Sequence, residues 1–202
     1  MGLPTMLDLV LNFLPFAVTS SVTPGPNNVM VTASGANYGF RRTLPHMTGI
    51  TAGFPVMVLA IGFGLGAVFE RYPMVHIVMR WVGALYILYL AWKIANAREA
   101  GEGAASGRPL TVLQGALFQW INPKGWVMAV SAVSSYTTVG GDIMIEIPLI
   151  AAVFGAVCFP SVALWAGFGV GLRRWLRSPK ALAIFNISMA ALLVASLVPL
   201  LT

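Results

Sequence analysis

Charge is scarce in this chain: 18 of 202 residues are Asp, Glu, Lys or Arg, or 9%. A soluble domain of this size carries about 25%. Eighteen charges cannot solvate a 21.5 kDa globule, so lipid must be the solvent for most of its surface. Cysteine is nearly absent as well. The single Cys158 lies in an apolar run, which excludes a disulfide framework and a cysteine-rich metal site. There are two histidines, His46 and His76, each alone and near the end of an apolar span. No Ser–His–Asp grouping or metal-ligand spacing appears, so an intramembrane enzyme has no visible nucleophile, acid–base pair or metal cluster to work with. No cofactor motif and no metal site are expected. Acids are missing from the depths of the spans: Asp8, Glu70, Asp142 and Glu146 all fall near span ends. The first residues, Met1 to Asp8, lack a basic segment, so the first apolar run reads as a retained helix and not as a cleaved signal peptide.

What is present is 58% hydrophobic sequence in six apolar stretches, at about 7–38, 43–69, 74–96, 111–136, 143–172 and 180–201. Each is long enough for a transmembrane helix of about 20 residues. The expected fold is therefore an all-α membrane protein of six transmembrane helices in one domain, 1–202, with no room for a separate soluble unit. The net charge of +6 could suggest nucleic acid, but its basic residues are spread over the gaps between spans. Arg41, Arg42, Lys93, Arg98, Arg108, Arg173, Arg174, Arg177 and Lys180 lie in gaps one, three and five; only Arg71 and Arg80 lie on the other side. Nine against two predicts that the odd-numbered loops are cytoplasmic and that both termini are outside. Trp92 beside Lys93 and Trp175 among arginines fit interfacial anchors.

The second and fifth spans repeat each other. Phe54-Pro55-Val-Met-Val-Leu59-Ala-Ile-Gly62-Phe63-Gly64-Leu-Gly66 aligns without gaps on Phe159-Pro160-Ser-Val-Ala-Leu164-Trp-Ala-Gly167-Phe168-Gly169-Val-Gly171, with seven of thirteen positions identical. The halves are then about 1–98 and 111–202, joined by a cytoplasmic linker at 97–110 that holds Arg98, Glu99, Glu102 and Arg108. Three spans is an odd number, so the second half enters the membrane from the opposite side: an inverted repeat, common among secondary transporters. Pro55 and Pro160 are expected to kink their helices and to serve as hinges, and the closely spaced glycines beyond them to permit tight packing. Packing and bending alone would account for these features equally well.

Two spans are interrupted. Thr23-Pro24-Gly25-Pro26-Asn27-Asn28, in the middle of the first, cannot continue an α-helix. The carbonyls near Ser20 and Val22 lose their partners, and in hydrocarbon such groups survive only where protein or a water-filled cavity covers them. Asn122-Pro123-Lys124-Gly125 holds the matching place in the fourth span. Asn is a good N-cap and Pro suits the first helical position, so a half-helix can start there, and another at Pro26. Helix N-termini favour anions. With the Lys124 ammonium they predict one midplane site for a carboxylate, built from Thr23, Pro24, Gly25, Pro26, Asn27, Asn28, Asn122, Pro123 and Lys124. Lys124 lies about ten residues from either end of its span, too deep to snorkel, and no deep acid can pair with it. A substrate carboxylate, backbone carbonyls or water is left as its partner. Lys124, Asp8 and His46 are the candidates for proton coupling.

These residues resemble the LysE/RhtB superfamily of amino-acid exporters. The resemblance rests on Thr23-Pro24-Gly25-Pro26-Asn27-Asn28, Tyr38-Gly39-Phe40-Arg41-Arg42, Gly83-Ala84-Leu85-Tyr86 through Ala91-Trp92-Lys93, and Phe118-Gln119-Trp120-Ile121-Asn122-Pro123-Lys124. Length and span layout agree over the whole chain. The resemblance implies a secondary transporter in the bacterial inner membrane. It would export amino acids or close derivatives by alternating access, driven by the membrane potential or a proton gradient. Its partners would be the small-molecule substrate and the bilayer, with a homo-oligomer compatible and no nucleic acid. The Thr-Pro-Gly-Pro-Asn-Asn and Ala-Trp-Lys-Ile-Ala stretches are similar to the branch that exports cysteine and O-acetylserine. A lysine exporter would want a deep acid for the substrate side chain, so the lack of one favours a neutral substrate. A channel, or an exporter of another small metabolite, is the alternative.

Overall fold

The computed structural model describes residues 6–65, 71–97, 108–176 and 178–198. Most of the 97–110 linker, with Arg98, Glu99 and Glu102, lies outside the described residues, as do Gly66, Glu70 and Arg177. The described chain is all-helical: α1 (Met6–Val22), α2 (Pro26–Tyr38), α3 (Phe40–Ala60, followed by a wider turn, Ile61–Leu65), α4 (Pro73–Ala95), α5 (Val112–Phe118, followed by a tight turn, Gln119–Ile121), α6 (Pro123–Tyr136), α7 (Ile143–Leu172) and α8 (Pro179–Ala195).

Local chemistry explains most of these boundaries. Thr111 and Gln114 form a reciprocal capping box at the start of α5. Asp142 caps α7 through the Met144 N–H, and Ser178 caps α8 through the Ala181 N–H. Pro26 and Pro123 occupy the first turns of α2 and α6, where a missing N–H costs nothing. Between α2 and α3 the chain turns at Gly39, whose φ of 85° a side chain would disfavour.

Three helices are individually long and apolar enough to cross a bilayer: Phe40–Leu65, Ile77–Ala95 and Ile143–Leu172. The pair α1 and α2, which meet at 52° across the Thr23–Gly25 break, is long and apolar enough to do so when taken together. Val112–Ile121 and Pro179–Ala195 are apolar but shorter.

The core has three parts. An aromatic cluster joins α1, α3, α6 and α7: the Phe154 ring meets Phe13 and Phe54 edge-on at centroid distances of 4.9 and 4.8 Å, and Tyr136 closes on Phe13 at 5.0 Å. Ile87, Leu90, Phe118 and Leu193 lock α4 and α8 onto α5 and α2. Val31, Met47, Ile50, Val162 and Ala166 fill the space where α2, α3 and α7 meet.

Two crossings are close enough to bring backbone against backbone. A methyl group at Gly35 would strike the Ala166 carbonyl, and one at Gly169 the Thr32 carbonyl, so α2 and α7 touch through paired glycines. Gly49 and Gly53 face Val112 and Ala116 in the same way, and Gly115 faces the His46 carbonyl, which seats α5 on α3. Small residues at such contacts are what association without a hydrophobic drive requires.

The two copies of the Phe-Pro repeat take different conformations. Neither Pro55 nor Pro160 ends its helix: α3 continues to Ala60, and α7 runs through Pro148 and Pro160 to Leu172. In the first copy the helix then opens, with Phe63 and Gly64 outside helical φ/ψ and Gly64 at φ 111°. The second copy, 159–171, is helical throughout. Of its glycines, Gly169 meets α2, while a methyl at Gly167 or Gly171 would meet nothing within 4 Å.

Candidate functional site

The break in the first span leaves a run of carbonyls without helical partners, and each finds a donor. The Thr23 hydroxyl donates to the Ser20 carbonyl at 3.0 Å. Asn28 Nδ2 donates to both Ser21 and Thr23 carbonyls, at 2.9 and 2.8 Å. Trp165 Nε1, from α7, donates to the Val22 carbonyl at 2.9 Å. The Gly25 carbonyl receives the Val29 N–H at 3.0 Å as the first bond of α2. A backbone carbonyl left without a donor where it is buried costs about 1–3 kcal/mol. The break is therefore a built element, and Asn28, buried at the first turn of α2, is its internal brace.

The last donor comes from the other broken helix. Lys124 Nζ donates to the Thr23 carbonyl at 2.6 Å, to Thr23 Oγ1 at 2.9 Å and to the Pro24 carbonyl at 3.3 Å. Its partners within the chain are two backbone carbonyls and one hydroxyl. Room for its stem exists because residue 25 is glycine: a Cβ there would lie 2.5 Å from Lys124 Cδ. A second link runs the opposite way. Asn27 Nδ2 donates to Gln119 Oε1 at 2.8 Å, and Gln119 Nε2 donates back to Asn27 Oδ1 at 3.2 Å and to the Gly115 carbonyl at 2.9 Å. The two breaks thus interlock.

A cavity of about 410 Å³, including its open mouth, lies at this junction. Gly25, Asn27, Asn28, Asn122 and Lys124 line it; Thr23, Pro24, Pro26 and Pro123 do not. Thr23 and Pro24 are exposed and take part only as acceptors for Lys124. Ser20 and Ser21 come from α1, Ile50 and Phe54 from α3, and Cys158, Ser161 and Val162 from α7. Among the described residues, Lys124 is the only charged one in the lining. The first-turn N–H groups of α2 and α6, at Asn27–Asn28 and Lys124–Gly125, have no carbonyl four residues back inside their own helices, and all four residues line the cavity. One ammonium and two helix N-termini at one apolar-walled volume can hold a carboxylate.

The other sequence candidates lie elsewhere. Asp8 is exposed in the first turn of α1, at the far end from the break. His46 is buried and lines a second cavity, of about 440 Å³ including its open mouth, with Asn37, Tyr38, Lys93 and Arg108. Pro55 and Pro160 are not in the lining, though the preceding Phe54 is. Sequence reasoning missed Gln119 and Trp165, which bond to the breaks, and the serines Ser20, Ser21 and Ser161 in the lining. Gln119 and Trp165 each put a polar group into an otherwise apolar stretch, a signal that was there to be used.

These features define a membrane-embedded, all-helical protein whose interrupted helices meet at a cationic cavity. The LysE type translocator family model matches residues 18–201, and the chain belongs to that family. The cysteine/O-acetylserine efflux protein of Klebsiella pneumoniae is 32% identical over 155 residues, covering 74% of this chain and 77% of that protein. That of Salmonella typhimurium is 31% identical over 158 residues, covering 75% and 80%. That of Escherichia coli K12 is 31% identical over 134 residues, covering 66% of each chain. No solved structure matches this chain.

Proposed function

We propose that this protein exports a small neutral amino acid or close derivative, of the cysteine or O-acetylserine kind that its relatives are named for, from the bacterial cytoplasm across the inner membrane. The observation that carries the proposal is Lys124 reaching from one interrupted helix into the other beside a cavity whose lining, among the described residues, contains no acid. A substrate carboxylate would compete with the Thr23 and Pro24 carbonyls for the ammonium, and the helix N-termini would share its charge. A cationic side chain would find no counter-ion, which favours a neutral substrate. Ser20, Ser21 and Ser161 offer hydroxyls to a short polar side chain, and Ile50, Phe54 and Val162 set its size.

The proposed architecture is six crossings in two inverted halves. Val112–Ile121 is too short to cross alone at 1.5 Å per residue, but together with α6 it extends over 112–136, enough residues for one interrupted crossing. The halves would rock about the midplane site, with Pro55 and Pro160 near the joints. The unequal conformations of the two Phe-Pro copies support this reading, since two equivalent halves of an alternating carrier must differ in any one state. So does the placing of the α2–α7 glycine crossing, which lies at the end of the bundle where Gly39 approaches Arg173. By the charge asymmetry that end is cytoplasmic, and the glycine contacts would close it.

Purified protein in proteoliposomes is expected to give saturable uptake of labelled L-cysteine or O-acetyl-L-serine that responds to an imposed gradient. Flux that never saturates would favour a channel; no flux with either substrate would sink the proposal. For orientation, Phe40→Cys and Gly140→Cys, each in a Cys158→Ser background, separate the two sides. An impermeant thiol reagent added to whole cells should label position 140 and spare position 40. The reverse pattern would invert the topology.

A further inference from the structure

One group at the cavity is left without a partner. Asn122 is 3% exposed and lines the cavity, and its Oδ1 is fully buried with no hydrogen-bond donor. It also does not serve as a side-chain cap for α6, although it holds the N-cap position. Among the described residues, the other buried side-chain atoms without partners belong to His46, Thr51 and Arg80, none of which lines this cavity. Every other amide around the junction is bonded: Asn27 and Gln119 to each other, Asn28 to two carbonyls. Buried acceptors are seldom left unmade, and an orphan in a ligand cavity marks a place where the ligand brings the missing donor. Lys124 cannot supply it, because the ammonium is turned to Thr23 and Pro24.

We propose that Asn122 Oδ1 is the acceptor for the substrate's α-ammonium group, making Asn122 a specificity-determining residue. The inference rests on the exporter reading above and adds the second half of its ligand. Lys124 and the two helix N-termini hold the negative end of a zwitterion, and Asn122, two residues earlier, holds the positive end. A neutral amide is well suited to this. It accepts from an ammonium without adding an anion that would pair with Lys124 and remove it from the site. An amino acid thereby satisfies both ends at once, whereas a simple carboxylic acid leaves Asn122 unpaired and an N-acylated derivative offers it only a neutral N–H, a weaker donor. A site built to bond a group rejects the analogue that lacks it.

The test uses reconstituted full-length protein and labelled L-cysteine under reducing conditions, with N-acetyl-L-cysteine and L-cysteine methyl ester as competitors. The first lacks the ammonium and the second the carboxylate. In the wild type each should compete at least about 10-fold worse than unlabelled cysteine, the scale of one charge-assisted hydrogen bond. Asn122→Leu should shrink the N-acetyl penalty to within about 2-fold while leaving the methyl-ester penalty in place. Asn122→Ala, a smaller change that covers the case in which the leucine variant does not fold, should shrink the N-acetyl penalty likewise. A folded Asn122→Leu or Asn122→Ala variant that still rejects N-acetyl-L-cysteine as sharply as the wild type would overturn the assignment and leave the exporter reading standing. Wild-type protein with no cysteine-saturable flux would instead overturn that reading and this inference with it.

Discussion

Lys124→Ala should lower the rate of substrate flux in proteoliposomes by about 100-fold. The ammonium makes three contacts to the first-span break, and in the proposed cycle it exchanges them for the substrate carboxylate. Hydrogen bonds to a charged group contribute about 1.5–3 kcal/mol each, so losing even one at the rate-determining state slows flux by about 10- to 100-fold. Alanine also strips the Pro24 carbonyl of its Lys124 donor, while the Thr23 carbonyl keeps Asn28. Size-exclusion chromatography of the purified variant separates lost transport from lost folding. Two neighbours sharpen the result. Gly25→Ala places a methyl 2.5 Å from Lys124 Cδ and should displace the ammonium, lowering flux by about 10-fold. Thr23→Val removes only the hydroxyl acceptor and should lower it far less. Wild-type flux in Lys124→Ala would rule out the proposed carboxylate site.

Gly169→Ala should be among the most damaging single-methyl additions in the chain. Its Cβ would land on the Thr32 carbonyl, while across the same crossing Gly35 already meets the Ala166 carbonyl. Backbone cannot rotate aside as a side chain can, so α2 and α7 must separate. Overpacking of this kind costs about 1–3 kcal/mol, or about 2–10 °C in the thermal midpoint of a chain this size. The strain reaches the site directly, because Thr32 Oγ1 bonds both the Asn28 and Trp165 carbonyls, at 2.7 and 3.2 Å, and Trp165 caps the Val22 carbonyl. Flux should fall along with stability. Gly167→Ala and Gly171→Ala, two residues to either side in the same motif, meet nothing within 4 Å. They should be neutral, or stabilising by up to about 1 kcal/mol through helix propensity. Equal midpoints for all three variants would contradict the backbone-to-backbone crossing.

The contrast among those glycines shows where reading the chain in one dimension stops. Gly167, Gly169 and Gly171 look alike in a repeat, and which of them touches another helix depends on which face of α7 meets α2. The same holds for the Phe-Pro copies: identical residues open the helix at Phe63–Gly64 and leave it intact at Phe168–Gly169. Local sequence cannot decide between two conformations when each is selected by its neighbours.

Much else was determined locally. Scarcity of charge required a lipid-facing helical protein. Pro24, Gly25 and Pro26 required a break, because a chain without two N–H donors cannot carry a helix past them. Asn122-Pro123 started α6 for the converse reason. Lys124, with no deep acid to pair with, had to take carbonyls, water or a ligand. Tertiary structure alone decided which carbonyls those were. It placed Thr23 and Pro24 within reach of a residue about a hundred positions away, set Gln119 against Asn27, and aimed Trp165 at the Val22 carbonyl. It left Asp8 and His46 outside the cavity and Asn122 in its lining, with Oδ1 buried and without a donor. The physical reason is common to all of these. A missing backbone hydrogen bond is a property of the local chain, whereas the group that replaces it can come from any segment that packing brings near.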